Sequence, residues 1–264
     1  MNDKNIMERL QEHLDSALAA YGQPDWFVIC LQGSQNYGIA DEESDIDSKL
    51  LIFPTFEDLV FNKQAVSHTH IMDNDEHCDV KDIREYFKIF RKQNINFVEI
   101  LFTDWYIANS KYEEEWHFLI EHREEIARYN EYQALKCMLG MAAEKYHALT
   151  HKYPSRMSWI EKFGYDPKQA SHLLRVRNFI KDYIDNKKSY KEMLIAPKEC
   201  MKIKRNGFED GNAIDICEKW YNECRDMVNK WTAEHELQTN EKVNDYLNDT
   251  LYSVMKKSIL EAAI

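Results

Sequence analysis

The sequence predicts an α+β fold, and three observations carry that prediction. Short apolar runs bounded by turn residues alternate with helical patterns over the first 110 residues. After Lys111 the apolar spacing becomes helical throughout. No linker rich in Gly, Pro or Ser separates the two parts, so the expected division, near Ser110, rests on the change of pattern alone. It gives a sheet with flanking helices over 1–110 and an all-helical part over 111–264. A chain of 264 residues with 44% apolar content is long enough for one large or two ordinary domains.

Asn5 to Tyr21 places Ile6, Leu10, Leu14, Ala17 and Leu18 near helical spacing, with Gly22 as a stop. Trp26 to Leu31 is an apolar run that halts at Gly33-Ser34, as a buried strand does at a tight turn. Ser44 to Phe53 alternates and then becomes fully apolar, which predicts a second strand beside the first. Thr55 can cap a short helix. Ala65–Ile71 and Glu76–Val80 read as two strands joined by the turn 72–75. Ile83, Tyr86, Phe87 and Phe90 form a buried stripe on a helix over Asp82–Gln93. The apolar stretch Asn96–Ile107 fits a strand or a short helix equally. Helices are expected over Glu113–Tyr129, Asn130–Tyr153, Pro167–Ile184, Gly211–Glu236 and Asn240–Ala263.

Composition excludes several functions. No apolar run is long enough to span a bilayer, and the first residues lack a signal-peptide pattern. Six cysteines are scattered without metal-site spacing, which predicts reduced thiols in a cytoplasmic protein with no membrane partner. A formal charge of −12 argues against broad nonspecific binding to nucleic acid, while leaving room for a local basic patch.

The chemistry is expected between Gly33 and Asp47. On a strand, Asp45 and Asp47 point to one face, and two neighbouring carboxylates repel unless a cation lies between them. Magnesium is held by one or two carboxylates plus substrate phosphates, and manganese is the alternative. Gly33 lets phosphate approach the backbone, and Ser34 adds donors. A polar surface loop would use the same residue types. The strands on either side are what favour a metal site.

Gly33-Ser34-x-x-Tyr37-Gly38 followed by Ser44-Asp45-Ile46-Asp47 resembles the signature of the DNA polymerase beta-type nucleotidyltransferase superfamily. More narrowly, it resembles the predicted nucleotidyltransferases associated with bacterial and phage RNA-repair genes. Asn94-x-Asn96-Phe-Val-Glu99-Ile-Leu-Phe102 and Lys168-x-x-x-His172-x-x-Arg175 fit that narrower likeness, so it covers the chain from Phe27 to about Gly207. The resemblance implies a nucleotidyltransferase-type mixed sheet, a nucleoside triphosphate substrate and a third carboxylate on a neighbouring strand. Asp79 is the expected third carboxylate. Asp82 is the runner-up and could instead cap a helix, and Asp73 and Asp75 are turn residues.

The expected catalytic and metal-binding residues are therefore Asp45, Asp47 and Asp79, and the expected nucleotide-binding residues are Gly33, Ser34, Lys168, His172 and Arg175. Lys168, His172 and Arg175 share a helix face by spacing, as a solvated basic face also would. Lys81 shares the strand face of Asp79, and Lys204 with Arg205 is a weaker basic candidate. Tyr37 would stack on a base or pack the loop, Glu99 would support the site or face solvent, and His68 and His70 are structural or exposed.

The acceptor implied first is RNA, as a tRNA or a broken RNA end. A protein hydroxyl is second and a small molecule such as an antibiotic third. A regulatory protein that binds nucleotide without turnover is the rival from another class.

Overall fold

The computed structural model describes residues 3–41, 44–208 and 212–261. In chain order the elements are α1 (Asp3–Ala20), β1 (Trp26–Gln32), β2 (Asp47–Ile52), α2 (Phe56–Val60), β3 (Ser67–Ile71), β4 (His77–Asp82) and α3 (Ile83–Lys92). Then come α4 (Ile95–Val98), a 3-10 turn at Glu99–Leu101, β5 (Tyr106–Ala108), α5 (Glu113–Glu121) and α6 (Arg123–Ile126). The helices that follow are α7 (Glu131–Ala148), α8 (Met157–Phe163), α9 (Pro167–Asp185), α10 (Tyr190–Leu194), α11 (Lys198–Asn206), α12 (Ala213–Glu234) and α13 (Glu241–Glu261). The fold class is the expected α+β. The start expected at Gly211 and the end expected at Ala263 lie outside the described residues.

The chain forms two compact units. One comprises Met1–Asn130 with Thr239–Ile264, and the other Glu131–Gln238. This differs from a division near Ser110 in two ways. The first unit runs on through α5 and α6, and it takes back the last helix. The reason lies in α13, whose Val243, Leu247 and Val254 are fully buried. Its Ser253 and Lys257 both bind Glu115 of α5 at 2.7 Å. Arg91 of α3 donates to Asn244 and Asn248 of α13. Asn240 N–H donates to Tyr129 C=O at 2.9 Å, so the chain re-enters this unit beside the point where it left.

The first unit is built on a five-stranded sheet of order β3-β4-β2-β1-β5. β2 and β4 run parallel, and the other neighbouring pairs are antiparallel. The expected neighbour relation of β1 and β2 is present. Successive side chains on a strand alternate, so Ser48, Leu50 and Ile52 share a face with Cys78 and Val80. Leu10, Leu14 and Ala17 of α1, spaced by four and three, cover that face together with Ile29. Burying each leucine there contributes about 1.5–3 kcal/mol. The opposite face carries Asp47, Lys49 and Leu51 beside His77, Asp79 and Lys81.

Local signals account for most element ends. Thr55 and Asp58 form a reciprocal capping box on α2. Asp82 caps α3 by accepting from Arg84 N–H at 2.8 Å, so its helix-capping role prevails. The ambiguous stretch 96–107 holds both expected forms, a helical turn and then the short strand β5. The helix expected over 113–129 breaks at His122 into α5 and α6. In the second unit, Asp166 caps α9 with Pro167 at the first helical position, and it also accepts twice from the Arg156 guanidinium, at 2.7 and 2.9 Å.

Candidate active site

β1 delivers Gln32 opposite Asp47 of β2, and the turn after β1 begins at Gly33. Gly33 has φ of +90°, a region that disfavours residues with a Cβ. A Cβ built there would lie 3.8 Å from Asp47 Oδ2, an ordinary contact. Backbone conformation therefore requires glycine here, and the Gly-Ser turn stands directly against an acidic side chain. The turn is closed by Gly38 N–H to Gln35 C=O (3.2 Å) and Ile39 N–H to Ser34 C=O (3.1 Å). Asn36 ties it to Leu31 C=O at 3.1 Å and to Thr103 at 2.8 Å. Ser34 Oγ donates to Gln35 Oε1 at 3.2 Å. Tyr37 is buried, so its ring packs the loop.

The acidic pair differs from the expected strand geometry. β2 begins at Asp47, and Asp45 is an exposed residue in the segment before it. Between them Ile46 is fully buried with Ile6, Leu31 and Trp105. Burial of Ile46 turns the two flanking side chains outward. Asp47 is 40% exposed, and its Oδ1 lies 3.6 Å from His77 Nδ1. The register that sets Ser48 against Cys78 brings these two together.

Asp79 lies on the same sheet face as Asp47 but already has a countercharge. Lys49, 3% exposed, holds its Oδ2 at 3.1 Å, and Thr69 donates to its Oδ1 at 2.7 Å. Lys49 Nζ also lies 4.4 Å from the centre of the Phe97 ring, a cation–π contact. Burial pushes the Asp79 carboxyl up, but Lys49, Thr69 and Lys81 outweigh it and hold it below the usual aspartate value. Lys81 donates to Ser67 Oγ at 2.8 Å, and burial lowers its pKa against the pull of Asp79.

Among the described residues, no three His, Cys, Asp or Glu side chains come together in a way that could hold a metal ion. Asp45, Asp47 and Asp79 all lie within them. The donors at the first two are hard carboxylate oxygens, and that of Asp47 lies beside Gly33. That set suits one magnesium or manganese ion completed by phosphate oxygens. The Asp79 carboxylate fits the pairing with Lys49 better than a ligand role.

Lys168, His172 and Arg175 all lie on α9 of the second unit, as spaced. They do not form one solvated face. Lys168 is exposed, His172 is partly buried and Arg175 is buried. The flanking Leu173, Leu174, Val176, Phe179 and Ile180 are core, as expected. Burial, then the charges of Arg175, Lys145, Lys168 and Lys204, push the His172 pKa well below the ordinary imidazole value. His172 is therefore neutral at pH 7, an imidazole amid cations.

Of the remaining candidates, Glu99 is buried, which rules out a solvent-facing role. His70 bonds Ser16 at 2.9 Å and packs edge-on to Tyr21, a structural part. The residues the sequence reading missed are Lys49 and His77. Lys49 had a signal: a lysine inside the apolar run Ser48–Phe53 is costly unless paired. His77 had none, because its place beside Asp47 depends on strand register.

No family model matches the chain, and no curated protein matches it. Among solved structures, it is similar to a nucleotidyltransferase-like protein from Exiguobacterium sibiricum 255-15. Identity is 9%, covering 95% of this chain and 80% of that one, with a TM-score of 0.32. A likeness of that size says nothing about what this chain does.

Proposed function

We propose that the chain is a cytoplasmic metal-dependent nucleotidyltransferase, moving a nucleoside monophosphate from a nucleoside triphosphate to an acceptor hydroxyl. One observation carries the reading. The glycine that follows β1 lies against the aspartate that opens β2, with Asp45 two residues before it. Gly33 and Ser34 would seat the β and γ phosphates, and Asp45 and Asp47 would hold the magnesium or manganese ion. When bound there, the ion would offset charge on the phosphates in the transition state. Asp79, kept ionised by Lys49, would take the proton of the acceptor hydroxyl. The hydroxyl oxygen would bond to the α-phosphorus, the bond to the bridging α–β oxygen would break, and pyrophosphate would leave. In the helical unit taken by itself, Lys168, which is exposed, would offer a phosphate-binding group. The first acceptor class is RNA, as a tRNA or a broken end, and a protein hydroxyl or a small molecule follows.

The test is incubation with each labelled nucleoside triphosphate and extracts of RNA and protein, reading the adduct by mass spectrometry. Wild type should label an acceptor and release pyrophosphate. Asp45→Asn and Asp47→Asn should reduce labelling by at least about 100-fold, the order expected when an electrostatic contact to the transition state is lost. Equal labelling by wild type and both variants would reject the site.

A second reading has one observation in its favour: Lys49 already neutralises Asp79. A regulatory protein that binds nucleotide without turnover can keep such a pair. It predicts magnesium-dependent nucleotide binding and no adduct with any acceptor.

A further inference from the structure

Glu76, immediately before β4, is 3% exposed and has no part in the chemistry above. Its Oε1 accepts from Ile46 N–H at 2.6 Å. Its Oε2 bonds His13 Nε2 at 3.0 Å, accepts from Asn74 Nδ2 at 3.3 Å and is ion-paired with Arg9. His13 is itself buried, and its Nδ1 lies 2.9 Å from Ser48 Oγ. An ionised carboxylate can only accept, so the proton shared with His13 sits on Nε2. Burial pushes the Glu76 carboxyl up, but the Ile46 N–H, His13 and Arg9 outweigh it and hold it below the usual glutamate range. The carboxylate is ionised at neutral pH, and both its oxygens are engaged.

The same peptide group is held from its other side. Asp45 C=O accepts from Gln35 Nε2 at 3.0 Å. Asp45 C=O and Ile46 N–H belong to one planar unit, so two distant side chains grip both polar groups of a single peptide. Gln35 comes from the turn after Gly33, and Glu76 comes from the start of β4. The buried Ile46 side chain fixes the remaining direction. The orientation of that peptide sets where the carboxylates on either side of Ile46 can point.

We infer that Glu76 and Gln35 are positioning residues that lock the Asp45–Ile46 peptide and thereby aim the Asp45 and Asp47 carboxylates at a divalent cation. The inference rests on the nucleotidyl-transfer reading of that pair. Glu76 is the stronger clamp, because its bond is charge-assisted, buried and backed by Arg9 and His13. Gln35 is the weaker, a neutral amide bonding in an exposed setting.

The experiment compares the 264-residue chain with its Glu76→Ala, Glu76→Gln and Gln35→Ala variants. It reads amide hydrogen exchange at Ile46, Mn2+ affinity in the presence of ATP by electron paramagnetic resonance, and kcat and KM for transfer. In Glu76→Ala, Ile46 exchange should speed up by about 10–100-fold, the range for a buried donor left without its acceptor. Mn2+ affinity and kcat should each fall by about tenfold, while the nucleotide KM moves by less than about threefold. Glu76→Gln keeps an acceptor oxygen for Ile46 but turns an amide NH2 towards Arg9 and His13, so it should restore part of the protection. Gln35→Ala should fold as wild type and weaken Mn2+ binding by about threefold.

Unchanged Ile46 exchange, or unchanged Mn2+ affinity and kcat, in folded Glu76→Ala overturns the clamp. Should Glu76→Ala not fold, Gln35→Ala decides, and unaltered Mn2+ affinity there overturns it. A wild type that transfers no nucleotide, with Ile46 exchange and Mn2+ affinity responding as expected, sinks the transferase reading and leaves the clamp standing.

Discussion

A lysine in the middle of a buried strand persists only where its charge is met. Lys49 meets Asp79 at 3.1 Å and the face of Phe97. Replacing it by methionine leaves Asp79 without its main countercharge. Lys49→Met should lose about 1–3 kcal/mol at pH 7, less than for a fully buried pair because Asp79 keeps contact with water. The folded-state pKa of Asp79 lies below its unfolded value, so its stabilisation is present above the unfolded pKa and is lost as pH falls through the folded one. Urea unfolding should therefore show wild type and Lys49→Met converging in acid, below about pH 3.9. A gap that stays constant with pH would mean that packing of the lysine stem, not charge, carries the effect.

At the scale of elements, the two ends that matter most are the turn after β1 and the start of α9. Gly33→Ala places a Cβ at φ +90°, where the neighbouring Asp47 oxygen is at ordinary contact distance. The cost is conformational, about 1–2 kcal/mol, and should appear as a lowered midpoint with an unchanged circular dichroism spectrum. Asp166→Ala removes the α9 cap and both bonds to Arg156. It should cost about 1–3 kcal/mol by urea unfolding, because a buried cap and its partner are lost together. Both ends are readable in the sequence, Gly-Ser after an apolar run and Asp-Pro before a helical one. The break at His122 is not, since the apolar spacing continues across it.

For the whole molecule, the return of α13 to the first unit has a direct consequence. Deleting residues from Thr239 onward removes Val243, Leu247 and Val254 from that core. Each costs about 1.5–3 kcal/mol, a sum comparable to the stability of a domain. The shortened chain should lose the cooperative unfolding of its sheet unit in calorimetry, and a wild-type melting curve would refute the assignment of α13.

The thiols give an independent check on burial. Burial pushes Cys217 and Cys224 up to about 12, and Cys78 and Cys200 to about 11. Cys30 is fully buried and Cys137 half-buried. A thiol reagent at pH 8 should therefore modify Cys137 first in the native chain, as read by peptide mass spectrometry. No described helix is long and apolar enough to cross a membrane.

Local patterns in the sequence encode four of the five strands and most helices, the cap at Thr55, the turn at Gly33-Ser34, and the acidic pair that follows it. These depend on residues within a turn or two of one another, so period and spacing reveal them. Packing and register set the rest: Lys49 neutralises Asp79, Glu76 and Gln35 grip one peptide between the two aspartates, Arg175 lies buried, and α13 completes the first unit. Each of those depends on strand register or helix packing between residues as much as 233 positions apart, as in the Asp25–Ser258 bond. Pairings at that distance are set by the burial of whole faces, which local sequence does not carry.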